Sequence, residues 1–113
     1  MTIHVVCAVK DRASRTFGRF FSVPHPNAAI RSFTDEVNRP GTVDQVNDLF
    51  AHPDDYELYD LGCFDDAIGV LSSPVSGPNL LVRGKDVSRR TDIEPTKYIE
   101  LNGGTDTRKS VLV

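Results

Sequence analysis

The chain alternates short β-branched or aromatic runs with one helical period. Ile3-His4-Val5-Val6-Cys7-Ala8-Val9 is apolar, β-branched and short, and predicts a buried strand. Lys10 to Gly18 is polar and predicts a loop or hairpin arm. Arg19-Phe20-Phe21-Ser22-Val23 then predicts a second strand, which Pro24 stops because proline has no N–H for a sheet ladder. Ala29, Ile30, Phe33 and Val37 recur at helical spacing, so a helix is expected to about Asn38, with Asn27 as its N-cap and Pro40-Gly41 beyond its end. Thr42 and Gln45 have the spacing of a capping box and predict a short second helix with Val43, Val46, Leu49 and Phe50 on its apolar face, closed by His52-Pro53. Tyr56 to Phe64 predicts a third strand, in which Tyr56, Leu58 and Phe64 read as core. A turn over Asp65 to Gly69 returns it as Val70-Leu71-Ser72. Pro74 to Pro78 is a loop, and Leu80-Leu81-Val82 an apolar patch able to pack back on the core.

These elements predict an α+β domain over residues 1–83, with an antiparallel sheet of about four strands, one main helix and one short helix. Residues 84–113 mix charges with Gly, Ser and Thr without a sustained period and predict a flexible polar tail, with a short strand at Lys97 to Leu101. A small sheet leaves edges able to recruit a second copy, so a homodimer or larger homo-oligomer is expected.

Composition changes this picture little. At 113 residues and 39% hydrophobic content the chain supports one modest core. No apolar run approaches the roughly 20 residues of a membrane helix, and the opening stretch lacks a basic leader and a small-residue cleavage site, so neither membrane insertion nor export is expected. Cys7 and Cys63 are too few for a disulfide framework. They read as reduced core filler, with the thiols close only if their strands are neighbours. No Cys/His cluster suggests a metal, and no cofactor is expected.

Charge changes it more. Residues 1–33 carry five basic groups against one acidic, residues 34–66 one against ten, and residues 67–113 seven against five. A basic front and an acidic middle can steer an anion to one face or dock a partner. The basic arm interleaves aromatics: Lys10, Arg12, Arg15, Phe17, Arg19, Phe20 and Phe21. Cations that follow phosphates beside rings that stack on bases are what single-stranded DNA binders use. Strand alternation sends one of Phe20 and Phe21 away from the other, and Phe17 is the ring expected to be free. Arg83, Lys85, Arg89 and Arg90 add cations. The rival is a protein–protein adaptor whose acidic 35–66 surface, with Asp54, Asp55, Asp65 and Asp66, binds a partner protein. The same aspartates could suggest a magnesium nuclease. Aspartate-rich turns arise for backbone reasons alone, however, and His4, His25 and His52 are scattered, so turn and cap roles are expected and the chain reads as no enzyme.

Several segments, in order, also carry a family resemblance: IHVVCAVKDR (3–12), FGRFF (17–21), AIRSFTDEVN (29–38), HPDDYELY (52–59) and LGCFDD (61–66). In this order they resemble the nonstructural protein of the gokushoviruses, small single-stranded-DNA phages of the Microviridae. Ala67-Ile68-Gly69 departs from the polar turn expected there. The resemblance implies a protein of the infected bacterial cytoplasm, absent from the virion, that acts in single-stranded DNA synthesis or in the switch to packaging. It brings no catalytic motif, and it makes a phage or host replication or capsid protein the expected partner under the adaptor reading.

Overall fold

The computed structural model describes residues 2–89. Among them six strands form one antiparallel sheet: β1 (Ile3–Asp11), β2 (Thr16–Phe17), β3 (Phe21–Val23), β4 (Tyr56–Asp65), β5 (Val70–Ser72) and β6 (Asn79–Arg83). The helices are α1 (Pro26–Val37), α2 (Asp48–Ala51), a 3-10 turn over Pro53–Asp55, and α3 (Gly84–Val87).

The sheet is four lanes wide. β1 and β4 pair along their whole length at its centre, from Ile3 opposite Asp65 to Asp11 opposite Tyr56. Each outer lane holds two short strands end to end, with β2 and β3 beside β1 and β5 and β6 beside β4. The four expected strands are thus present as β1, β3, β4 and β5. The apolar patch at 80–82 is itself a strand, and the loop expected from Lys10 contains the end of β1 and the two residues of β2. Arg15 adopts a positive φ of 62° in the turn of that arm, where its N–H donates to the Asp11 carbonyl at 2.8 Å.

Alternation sorts the two faces. Val5, Cys7 and Val9 of β1 point to one side, with Leu58 of β4 and Phe21 and Val23 of β3. There α1 lays down Ala29, Phe33 and Val37, which are buried together with Cys7 and Leu58. Leu49 of α2, Val87 of α3, and Leu81 and Val82 pack around this cluster. His4, Val6, Ala8 and Lys10 point the other way, where no helix of the described residues covers the sheet. Phe64 stands opposite His4 on that uncovered face, their ring centroids 6.2 Å apart, so it is not the core residue its hydrophobicity predicts. Tyr56 and Leu58 do join the core side.

Two helix expectations are corrected. The N-cap of α1 is His25, whose ring Nδ1 accepts from the Asn27 N–H at 3.1 Å, and not Asn27. Imidazole takes the acceptor role usual for a short polar side chain. No helix runs over 42–47. Gln45 N–H does donate to the Thr42 hydroxyl at 3.0 Å, but Thr42 N–H also donates to the Gln45 carbonyl at 2.9 Å, which closes a tight turn instead of opening a helix. Asn47 explains the turn. Its side chain donates to the carbonyls of Glu36 and Arg39 at 2.9 and 2.7 Å, at the end of α1 where carbonyls lack helical partners. Reaching them curls the chain back, Asn47 then caps α2, and Val43 and Val46 are left 96% and 70% exposed.

Packing runs past residue 83, where a boundary was expected. Gly84 is buried, and a Cβ there would sit 2.3 Å from the Pro53 carbonyl oxygen. The Asn38 side chain donates to the Val87 carbonyl at 2.9 Å and accepts from Arg89 N–H at 2.7 Å. The expected strand at 97–101, Arg90 and the remaining tail lie outside the described residues. No helix of the described residues is long and apolar enough to cross a membrane.

Candidate functional site

The uncovered face collects the aromatic and cationic residues at one end of the central strands. Phe17 of β2 is the register partner of Lys10, and Tyr59 of β4 that of Ala8. Ala8 is fully buried, and its small side chain leaves room for the two rings to meet across β1. They do so edge to face, with centroids 5.3 Å apart at an interplanar angle of 71°, a favoured geometry for aromatic pairs. Lys10 Nζ lies 5.6 Å from the Phe17 centroid and 6.0 Å from that of Tyr59. This distance suits a cation over a ring. Phe17 remains 41% exposed.

Beneath these groups lies Glu57, opposite Lys10 and Arg83 in the register. Its side chain is only 9% exposed. One carboxylate oxygen faces Arg83 Nε at 3.4 Å and Arg12 Nε at 3.9 Å, and the other accepts from the Tyr59 hydroxyl at 3.0 Å. Burial, followed by that hydrogen bond, raises the Tyr59 phenol above its ordinary pKa. Arg12 is anchored twice more, by its N–H to the Asp55 carbonyl at 2.7 Å and by its guanidinium to the Asp54 carbonyl at 3.3 Å. Lys10, Arg12, Ala13, Arg15, Asp54, Asp55 and Glu57 line an open cleft of about 500 Å³.

Farther along the same face, Phe20 is 69% exposed beside an apolar groove of about 280 Å³ formed with Val6, Leu61 and Leu71. Alternation divides the Phe20-Phe21 pair as expected. Phe21 packs against the core and presents no ring to this surface. Arg19 is exposed next to Phe20. Lys85 lies in α3, away from the ring pair in the topology, and is exposed.

The segment from residue 4 to residue 87 matches the family model described as phage ORF5 protein. The chain belongs to the phage ORF5 protein family. The match spans the sheet and its helices from β1 through α3, and so takes in every residue of the aromatic and cationic cluster. No curated protein and no solved structure matches the chain.

The Asp65-Asp66 pair serves the backbone. Asp65 accepts from Ala67 N–H at 2.9 Å, and Gly69, at φ 70°, completes the same turn by donating to the Asp65 carbonyl at 2.8 Å. Asp66 accepts from Thr2 N–H at 2.9 Å and meets His4 Nε2 at 3.0 Å, contacts that hold its carboxyl below the usual range. Asp54 and Asp55 lie in the 3-10 turn before β4. The two pairs stand at opposite ends of β4, a strand of 10 residues and so about 30 Å long. No group of three or more His, Cys, Asp or Glu among the described residues could hold a metal ion.

The cysteines are free and not register partners: Cys7 faces Asp60, and Cys63 faces Val5. Burial, with Asp60 adding to it, pushes the Cys7 thiol up to about 11, which leaves it protonated and a poor nucleophile at neutral pH.

Sequence reasoning missed Tyr59 and Glu57. Both lie inside HPDDYELY, where the alternation from Tyr56 already places Glu57 and Tyr59 on one face and Leu58 on the other. What it could not give is the pairing of β2 and β4 with opposite edges of β1, which brings that face to Phe17.

Proposed function

We propose that this phage protein binds single-stranded DNA through the uncovered face of its sheet, as a non-enzymatic accessory to genome synthesis or to the switch to packaging. The observation that carries the reading is the Phe17–Tyr59 pair with Lys10 over both rings, bordered by Arg12 and Arg83. Exposed rings stack on unpaired bases of any sequence, and flanking cations follow the phosphates. A sheet face four strands wide, which no helix of the described residues covers, offers a platform for both. Arg15, Arg19 and Phe20 extend the surface along the hairpin arm, and Lys85 lies beyond Arg83 in the chain. The separation of the acidic pairs favours this reading over an adaptor docked on one acidic surface.

In this reading the protein acts in the bacterial cytoplasm during infection, outside the virion, and the ordered segments that resemble the gokushovirus nonstructural protein support it. In this reading the protein forms a homodimer or larger homo-oligomer, with further copies along one strand.

Phe17→Ala tests the surface. Phe17 is exposed and lies in a strand of two residues, so its loss spares the core. Removal of one stacking ring is worth about 1–3 kcal/mol per base, so affinity for an oligothymidylate should fall between about fivefold and about a hundredfold. Unchanged affinity with an intact fold would remove Phe17 from the site.

A further inference from the structure

The cations of this surface are already partly matched. The cleft is lined by Lys10, Arg12 and Arg15 on one side of the balance and by Asp54, Asp55 and Glu57 on the other. Glu57 is the most buried of the three carboxylates. A carboxylate so far from water needs partners, and it has them in two guanidiniums and a hydroxyl. Its contacts to the arginines run through Nε at 3.4 and 3.9 Å, longer than the 2.7–2.9 Å of a strong charge-assisted bond. Both arginine side chains are about half exposed, with Nε of each facing the acid, and Arg12 Nη1 also donates to the Asp54 carbonyl at 3.3 Å.

We propose that Glu57 is a resident counter-anion that holds Arg12 and Arg83 on the open sheet face and limits how tightly that face takes phosphate, with Asp54 and Asp55 acting in the same sense from the cleft wall. This rests on the single-stranded DNA reading and deepens it, since it makes binding moderate and easily reversed. The sign follows from charge and geometry. A phosphate on the outer side of the guanidiniums stands roughly 7 Å from the carboxylate. Like charges at that distance, over the effective dielectric range near a protein surface, weaken an equilibrium by about threefold to about fiftyfold. Glutamine at this position keeps the shape, with its oxygen turned to the arginine Nε groups and its amide N–H donating to the Tyr59 oxygen in place of the bond the carboxylate accepts, so it removes the charge and keeps a partner for each group.

The test is fluorescence anisotropy of labelled oligothymidylate against the full chain and its variants over a salt series. Glu57→Gln should bind between about fivefold and about twentyfold more tightly than wild type. Its plot of log affinity against log salt should steepen by about 0.7 for each arginine released to a phosphate. Glu57→Asp retains the charge and should not steepen the salt slope as Glu57→Gln does. A merely structural glutamate would weaken binding when replaced and leave the salt slope alone. If Glu57→Gln does not fold, Asp54→Asn with Asp55→Asn carries the test, because both are turn residues whose backbone carbonyls, not side chains, hold Arg12. Wild-type binding that neither folded charge-removing variant tightens would overturn the counter-anion role and leave the DNA reading standing. No wild-type binding at low salt would overturn both.

Discussion

Replacing Gly62 with alanine is expected to cost about 2–6 kcal/mol of stability, enough to unfold a domain whose total is of order 5–15 kcal/mol. Two separate physical effects add. Gly62 sits at φ 138°, a conformation that residues with a Cβ rarely adopt. A Cβ there would also lie 2.0 Å from the Ser72 carbonyl oxygen and 3.1 Å from Ser73 Cα, both backbone atoms that cannot swing aside. The local architecture needs this close approach. The register slips between Val6 and Cys7, leaving Leu61 as an extra residue in β4, and the Asp60 carboxylate accepts from Gly62 N–H at 2.8 Å to fix the bulge. β5 then closes against β4 through Cys63 and Ser72. Urea denaturation followed by far-ultraviolet circular dichroism measures the cost, and a loss below about 1 kcal/mol would contradict the bulge.

Leu58→Ala is expected to cost about 2–5 kcal/mol, the range for removing a buried leucine side chain and leaving part of a cavity. Leu58 is fully buried and lies in the middle lanes of the sheet, opposite Val9 on one side and Val82 on the other. Phe33 and Val37 of α1 belong to the same cluster, so the void would open where helix meets sheet. The same denaturation curve reads this loss. Leu58 points away from Glu57 and Tyr59, so whatever fraction of the variant is folded should keep the wild-type affinity for any ligand of the open face. A stability change below about 1 kcal/mol would place the core elsewhere.

Much of this fold was legible because burial and period agree over β1, β4 and α1. Val5, Cys7 and Val9 alternate, Ala29, Phe33 and Val37 follow a helical stripe, and each set reaches the same cluster. The misreadings share one cause, which is tertiary contact overriding local pattern. Thr42 and Gln45 carry a capping signal, but Asn47 is drawn to the end of α1 and the segment becomes a turn. Asn27 is the better isolated cap, yet His25 is the residue whose ring reaches the first free N–H. Phe64 is apolar but falls on the face that receives no helix of the described residues. β2 has only two residues, too few for any periodicity to mark.

The candidate site was legible in part for the same reason. Cations and rings interleaved along 10–21 are local and visible, and alternation alone separates Phe20 from Phe21. Tyr59, Glu57 and the convergence with Arg83 depend on which strands pair, and pairing is a non-local property. The acidic middle is compact in sequence. The extended β4 carries Asp54-Asp55 and Asp65-Asp66 to opposite ends of the sheet.

The central claim is that the open face takes single-stranded DNA, and anisotropy of a labelled single strand beside a duplex of equal length, at low and at moderate salt, tests it most directly. The account predicts binding that prefers the single strand, where bases are free to stack, and that weakens as salt rises because phosphates release counterions. Equal affinity for duplex, or no binding at low salt where phosphate contacts are strongest, would contradict it.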